Sequence, residues 1–356
     1  MLNDDLLKIL DSLKDKDALG IGDDVNETVL LIDGLNSFIR GFSCSPAMND
    51  NGDHIGGISG FLKTIAFTIR QFKPSRCIIV FDGKGGSSRR KKKFPAYKDR
   101  KSPKTRLNRA YDFQTVDEEI DSMNLQLMRV VQYIEYLPLT ILNMDDVEAD
   151  DVIAYIATEI LSENPNNKSV IISSTDRDYL QLIDERVKVW NPTRKIYFDE
   201  ITVHNEYKIP QHNFLMYRIL DGDKSDGIPG IRGIGFKTIQ KKLPILLSDT
   251  KITIESLLEY VSSNNDDSKL FKTILASKDI LERNYDLMQL NKVDMPMRTK
   301  TRVIEIMNMP IKLLNSYQFK KMVLMDKMYS AIPNIDTWLT QSFNILNSFA
   351  MTTQKG

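Results

Sequence analysis

At 356 residues, with 42% hydrophobic residues and 48 Lys plus Arg balanced by 48 Asp plus Glu, the chain has the composition of an ordinary soluble globular protein of one large or two medium domains. No apolar run approaches the ~18 residues needed to cross a membrane, and the opening MLNDDLLKILDSLKDKD is an amphipathic acid-and-base segment without a signal-peptide core, so a cytoplasmic protein with no membrane partner is expected. Two cysteines, Cys44 and Cys77, and three scattered histidines, His54, His204 and His212, exclude a disulfide framework and a cysteine zinc site; any metal must be held by carboxylates.

In chain order, residues 1–27 read as a polar helical extension, and TVLLID, Thr28 to Asp33, as a buried strand that ends on an acid. GGISGFLKTIAFTIRQF follows, with Ile58, Phe61, Leu62, Ile65 and Ile69 at helical spacing. CIIVFD, Cys77 to Asp82, is a second apolar strand, and it too ends on an acid. Between Lys84 and Arg109 twelve Lys or Arg face one acid, Asp99. That run implies a negatively charged partner locally, or else it is a basic linker or solvated face. The stripe Phe113, Val116, Ile120, Met123, Leu127, Val130, Ile134, Leu137 predicts a long helix with one packing face, stopped by Pro138.

LTIL, Leu139 to Leu142, predicts a strand leading into VEADDVIAYIA, where Glu148, Asp150 and Asp151 crowd the start of a buried helix. Anions suit a helix N-terminus by about 0.3–1 kcal/mol each, which accounts for one or two carboxylates. Three repel one another unless a cation sits among them, such as a hard metal that takes oxygen ligands. SVIISS, Ser169 to Ser174, predicts a further strand leading into TDRD with Asp176 and Asp178, and RVKVW and KIYFD around Asn191 and Pro192 predict a hairpin. From about Glu200 onward the pattern is helical, with polar breaks such as SSNNDDS. The tail stripe Phe343, Ile345, Leu346, Phe349 reads as core rather than as a docking peptide.

Strands alternating with helices predict an α/β fold with a mostly parallel central sheet flanked by helices, in which ligands bind outside the carboxyl ends of the strands. Asp33, Asp82, Asp176 with Asp178, and the Glu148 cluster then collect along one sheet edge. A single Asp after a strand is commonly a turn or helix-cap residue. A pocket of converging carboxylates is costly to ionise, and divalent cations relieve that cost. In LDGDKSDGIPGIRGIGFKTIQKKL, Asp223 and Asp226 add two more acids, and Gly227, Gly230, Gly233 and Gly235 precede a helix start carrying Lys237, Thr238, Lys241 and Lys242. Backbone N–H groups there can approach a phosphate, so the segment is suited to gripping a nucleic-acid backbone without reading bases, with an ordinary glycine-rich turn as the alternative.

LIDGLNSFIR, GGISGFL, VFDGKGGSSRRKKKFPAYKDRK, VEADDVIAYIA, SSTDRDYLQL and LDGDKSDGIPGIRGIGFKT occur in this order, and together they resemble the 5′-nuclease superfamily of flap endonucleases, bacteriophage 5′ to 3′ exonucleases and the 5′-nuclease domain of bacterial DNA polymerase I. The resemblance implies two Mg²⁺ or Mn²⁺ ions, one held mainly by Asp33, Asp82, Glu148 and Asp150 and the other near Asp151, Asp176, Asp178, Asp223 and Asp226. It implies that the basic segment forms a helical arch over a single-stranded 5′ end, its run Arg89, Arg90, Lys91, Lys92 and Lys93 meeting that strand. Lys98 with Tyr97 matches the Tyr-Lys pair beside the scissile phosphate, and Arg40 and Arg90 are implied as phosphate contacts. Gly233, Gly235, Lys237 and Thr238 fall in a helix-three-turn-helix that holds duplex and takes a K⁺ ion. The expected domains are an extension 1–27, an α/β nuclease domain 28–205 with the arch at about 84–125, a helical DNA-binding region 206–294 and a C-terminal helical extension 295–356.

The implied function is a monomeric, metal-dependent 5′-nuclease acting at replication forks. It would cut branched or nicked DNA and RNA-DNA duplexes and remove primers, with a replication protein docking on the C-terminal extension. A non-catalytic DNA-binding or scaffold protein on the same fold has no need of nine carboxylates, and a nucleotide phosphatase has no need of the basic arch or the glycine motif.

Overall fold

Side-chain alternation along the first strand divides the interior in two. In β1 (Thr28–Asp33), Leu30 and Ile32 join one apolar cluster and Val29 and Leu31 another, so the strand is buried on both faces, as its unbroken apolar run requires. The computed structural model describes residues 28–99, 106–163, 169–264 and 269–353. The expected extension over 1–27 lies outside the described residues, as does the stretch 100–105 of the basic segment.

β1 is joined by β2 (Arg76–Asp82), β3 (Thr140–Met144), β4 (Ser169–Ser173), β5 (Val187–Asn191) and β6 (Ile196–Phe198) in the spatial order β3-β2-β1-β4-β5-β6. The first five run parallel, and β6 returns antiparallel from β5 as the expected hairpin, Trp190 opposite Tyr197. Winding reverses between β1 and β4, and at such a switch point the outgoing loops diverge and leave a crevice at the carboxyl ends. Register keeps those ends level: Asp33 pairs with Val80, Ile32 with Ser173 and Asp82 with Met144.

One face is covered by the helices Gly34–Cys44 and Gly56–Phe72, which cross where Gly41 meets Gly60. A Cβ on Gly60 would stand 2.7 Å from the Gly41 Cα, so only glycine allows this approach. The helices Val116–Ile134, Ser316–Met325 and Ile335–Thr353 complete this face, and Phe319, Phe343 and Leu346 are buried in the cluster that holds Leu30 and Ile32. The opposite face carries the helix Ala149–Tyr155 and residues of the helical region that begins at Glu200.

The long helix departs from its expected span and face. Phe113 packs ahead of it, Ile120 is exposed, and Glu119 and Gln126 take buried positions instead. Hydrogen bonding explains the rotation. Glu119 Oε1 accepts from the Asn108 N–H at 2.6 Å, and Gln126 Oε1 accepts from the Gly57 N–H at 2.8 Å while its amide donates to the His54 carbonyl at 2.8 Å. Buried backbone groups demand partners, and here that demand overrides the apolar stripe. Among the described residues no helix is long and apolar enough to cross a membrane.

Candidate active site

The acids at strand ends serve the backbone with one oxygen each. Asp33 caps the helix Gly34–Cys44, its Oδ1 accepting from the Asn36 N–H at 3.0 Å. Asp82 reaches a different element, accepting at 2.9 Å from the Ala149 N–H that opens the helix Ala149–Tyr155. Asp176 Oδ1 accepts from the Asp178 N–H at 2.8 Å, and Asp223 Oδ1 from the Ser225 N–H at 2.7 Å. Capping therefore fixes where each carboxylate stands. The second oxygen of Asp33 takes the Ser174 hydroxyl at 3.2 Å and the Tyr179 hydroxyl at 3.4 Å, whereas those of Asp82 and Asp176 have no partner among the described residues.

The crowded helix start behaves otherwise. Glu148 occupies the N-cap position without making a side-chain cap, and oxygens of Glu148, Asp150 and Asp151 lie within 4.8 Å of one another, the one such trio of possible metal ligands among the described residues. Cations from the basic segment sit against them. Arg90, only 2% exposed, bonds Glu148, Asp150 at 3.3 Å and Asp151 at 2.9 Å. Arg89 holds Asp151 at 2.9 Å. Lys98 holds Glu148 and stands 4.0 Å from Asp226, and the Tyr97 hydroxyl donates to Glu148 at 3.1 Å. On the far side Arg218, 1% exposed, joins Asp178 at 2.7 Å and also Asp223.

The balance stays negative. Nine carboxylates face these four cations, and Asp33, Asp82 and Asp176 have no cation within ion-pair reach among the described residues. Burial lifts Asp33 to about 6, with the Asn36 bond opposing and the Asp82 carboxylate adding. Burial likewise lifts Asp226 to about 6 against the pull of Lys98. Desolvation by the crevice walls, although the side chain stays partly open to solvent, and then the Asp178 charge push Asp176 above the usual carboxylate range. Despite burial, Arg90 and Lys98 hold Asp150 below its ordinary value, and Ser225 and Arg218 do the same for Asp223. Asp33, Asp82, Asp176, Asp223, Asp226 and Lys98 line one crevice of about 450 Å³. An all-oxygen, under-compensated donor set of this kind fits hard divalent cations.

Residues 28–208, 181 positions and so half the chain, match the family model of the 5′-3′ exonuclease N-terminal, resolvase-like domain. The chain belongs to the 5′-3′ exonuclease family. DNA polymerase I of Borreliella burgdorferi is 31% identical to it over 215 residues, 58% of this chain but 21% of that protein. The 5′-3′ exonuclease of Aquifex aeolicus is 29% identical over 213 residues (60% and 67% of the two chains), and flap endonuclease Xni of Shewanella denitrificans 29% over 212 residues (59% and 75%). The solved bacteriophage T5 flap endonuclease, a pseudo-enzyme-product complex with DNA and metal ions, superposes with a TM-score of 0.59 at 18% identity, covering 91% of this chain and 99% of that one. The expected superfamily resemblance and the α/β fold are thereby confirmed.

Within this member of the family, the predicted residues fall in three places. The nine acids, Tyr97, Lys98, Arg89 and Arg90 meet at the carboxyl edge, Arg89 and Arg90 as partners of acids within the protein. Arg40 is half-buried on the crevice lining; its Nη2 donates to Thr64 at 2.8 Å, while its buried Nε has no partner among the described residues. Lys91 and Lys92 are exposed, and Lys93 pairs with Asp286 at 3.0 Å, so the basic helix Ser88–Lys93 lies against the helix Lys278–Met288. Gly233, Gly235, Lys237 and Thr238 form the turn and start of the helix Phe236–Lys242. Sequence reasoning did not single out Arg218, although a lone Arg inside the apolar run FLMYRIL signals a buried partner. Asn284 was equally silent; its amide ties the Ile219 carbonyl at 2.9 Å to the Pro229 carbonyl at 3.0 Å beneath the glycine turn.

Proposed function

We propose that the protein is a divalent-metal-dependent, structure-specific 5′-nuclease that hydrolyses phosphodiester bonds near 5′ ends and 5′ flaps of duplex DNA and RNA-DNA hybrids. The observation that carries this reading is the crevice in which Asp33, Asp82 and Asp176 lack cationic partners while Lys98 stands at its wall. Mg²⁺ or Mn²⁺ ions would be held by Asp33, Asp82, Glu148 and Asp150 on one side and by Asp151, Asp176, Asp178, Asp223 and Asp226 on the other. When bound, such a pair supplies an activated water and stabilises the leaving oxygen.

The chain's own groups orient the substrate. Burial disfavours the Lys98 charge, but Asp150, Glu148 and Asp226 outweigh it and hold the ammonium protonated, positioned to stabilise charge that develops on the scissile phosphate. Lys98 keeps this place through a left-handed backbone, φ +48°, and its N–H donates to the Asp226 carbonyl at 2.8 Å. Tyr97, buried under it, fixes Glu148. The exposed Lys91 and Lys92 face the single strand, and the turn at Gly233 and Gly235 with Lys237 and Thr238 grips the duplex through phosphates, with K⁺ as its ion. A replication protein docks on the C-terminal helices.

The test is incubation of end-labelled flap, nicked and blunt duplexes with and without Mg²⁺, mapping products, for wild type, Asp150→Asn and Asp176→Asn. Both variants are expected to lose nearly all cleavage and keep DNA binding within a few-fold. Full Mg²⁺-dependent activity in both would sink the reading.

A further inference from the structure

One cation at the crevice has no assigned task. Arg177 lies between Asp176 and Asp178 in the 3₁₀ turn Arg177–Leu182, is exposed, and makes no ion pair or side-chain hydrogen bond among the described residues. The other basic groups at the carboxyl edge are committed: Arg89, Arg90, Lys98 and Arg218 to carboxylates, Arg40 in part to Thr64. An arginine left unpaired beside nine acids is not explained by their neutralisation.

Its surroundings give it a direction. Arg177 lines the acid crevice and also a smaller cavity of about 200 Å³ walled by Leu180, Val189, Phe198 and Tyr207, so with Thr175 and Asp176 it borders both. Its charge acts on Tyr207 and Tyr217: burial and Glu206 raise the Tyr207 hydroxyl to about 12 with Arg177 opposing, and at Tyr217 it opposes burial and Asp221. Both tyrosines pack on Phe236, their ring centroids 6.4 and 6.3 Å from it, and Phe236 opens the helix that carries Lys237 and Thr238. Arg177 therefore stands on the ground between the glycine turn and the carboxylates. The turn beneath it is rigid, because Asp176 caps it and Asp178 is held by Arg218 at 2.7 Å.

We infer that Arg177 is a positioning residue that takes one backbone phosphate of the duplex between the glycine turn and the acid crevice, and so sets which phosphodiester bond reaches the carboxylates. The inference rests on the proposed duplex grip at the glycine turn. A guanidinium fixed at one end on a rigid turn and presented to solvent is suited to a planar, two-point contact with phosphate. Contact at this point measures a fixed length of backbone from the grip to the cut.

The full-length protein is assayed as wild type, Arg177→Ala, Arg177→Lys and Lys237→Ala. Duplex binding is measured against salt in EDTA, KM and kcat are taken from steady-state cleavage of a nicked duplex in Mg²⁺, and single-turnover products of the same duplex are read at nucleotide resolution. Arg177→Ala is expected to lower the salt slope by about one, to raise KM about tenfold with kcat little changed, the order of one charge-assisted contact, and to spread cleavage onto neighbouring bonds. Arg177→Lys restores the salt slope, because it keeps the charge, while the product pattern stays broader than wild type. An unchanged slope and product pattern in Arg177→Ala, with a lowered slope in Lys237→Ala, overturns the role given to Arg177. A loss of kcat alone, with slope and KM intact, also overturns it, since that is the signature of displaced Asp176 or Asp178. If Lys237→Ala binds duplex normally, it is the grip at the glycine turn that has failed.

Discussion

Gly233 and Gly235 look alike in sequence and differ in what they require. Gly233 has φ +85°, which L side chains rarely adopt, whereas Gly235 is extended at φ −137°, ψ 175°, and an added Cβ on either meets nothing within 4 Å. Gly235→Ala is therefore expected to leave stability within about 0.5 kcal/mol of wild type, as for a surface change without strain, yet to weaken binding of plain duplexes of any sequence. Urea unfolding beside equilibrium binding checks it, and unaltered affinity would reduce the motif to an ordinary turn. Gly233→Ala should lose both, because its backbone is strained before any DNA arrives. The glycine spacing is legible in the sequence, while the division of labour between the two residues needs the dihedral angles.

At the scale of elements, strand ends were more legible than helix faces. β1 covers the expected Thr28–Asp33, and the acids at strand ends fall where the alternation of strands and helices placed them. A strand's exit edge follows from chain direction alone, so Asp33 and Asp82 needed no tertiary knowledge. The rotation of Val116–Ile134 did need it, since no periodicity reveals that Gly57 and Asn108 lack partners until Gln126 and Glu119 arrive. The docking of Ser88–Lys93 was hidden for a similar reason: a run of bases does not disclose which of them, here Arg90, will be drawn inward by Glu148 and Asp151. Gln126→Leu keeps the volume and the apolar pattern but orphans the Gly57 N–H and the His54 ring nitrogen that the amide meets at 3.1 Å. It is expected to cost about 1–3 kcal/mol, seen as a lower urea midpoint, although a sequence-pattern argument would rate it neutral or favourable.

For the molecule as a whole, the acid crevice couples stability to pH. Asp33 and Asp226 rise from 3.8 to about 6 on folding, so their stabilising contribution is complete below the unfolded value and is lost as pH climbs through about 6. Asp150 and Asp223 are depressed and act oppositely, but their change falls below the unfolded value, outside the window from pH 5 to 7. In EDTA the urea midpoint should therefore decline from pH 5 to pH 7, and Mg²⁺ should raise it more at pH 7 than at pH 5. Asp33→Asn should flatten the decline. An EDTA midpoint that rises across this window, with an equal Mg²⁺ effect at both ends, would show that the acids are compensated some other way.

The cluster that joins Leu30 and Ile32 to Phe319, Phe343 and Leu346 bears on how the chain is made. During synthesis β1 and its covering helices Gly34–Cys44 and Gly56–Phe72 emerge early, but the outer side of that layer waits for the last helices to be translated, since the helix Ile335–Thr353 packs on Gly56–Phe72 and β2. Contacts of such long sequence separation are slow to form and leave apolar surface open meanwhile. A nascent chain halted at residue 208, the end of the family-matched segment, would lack Asp223 and Asp226 and would leave apolar surface of Gly56–Phe72 and β2 uncovered. The family-matched segment, cut at residue 208, is therefore expected to be less soluble than the full chain, because the C-terminal helices supply a late-arriving part of the cluster around Leu30 and Ile32.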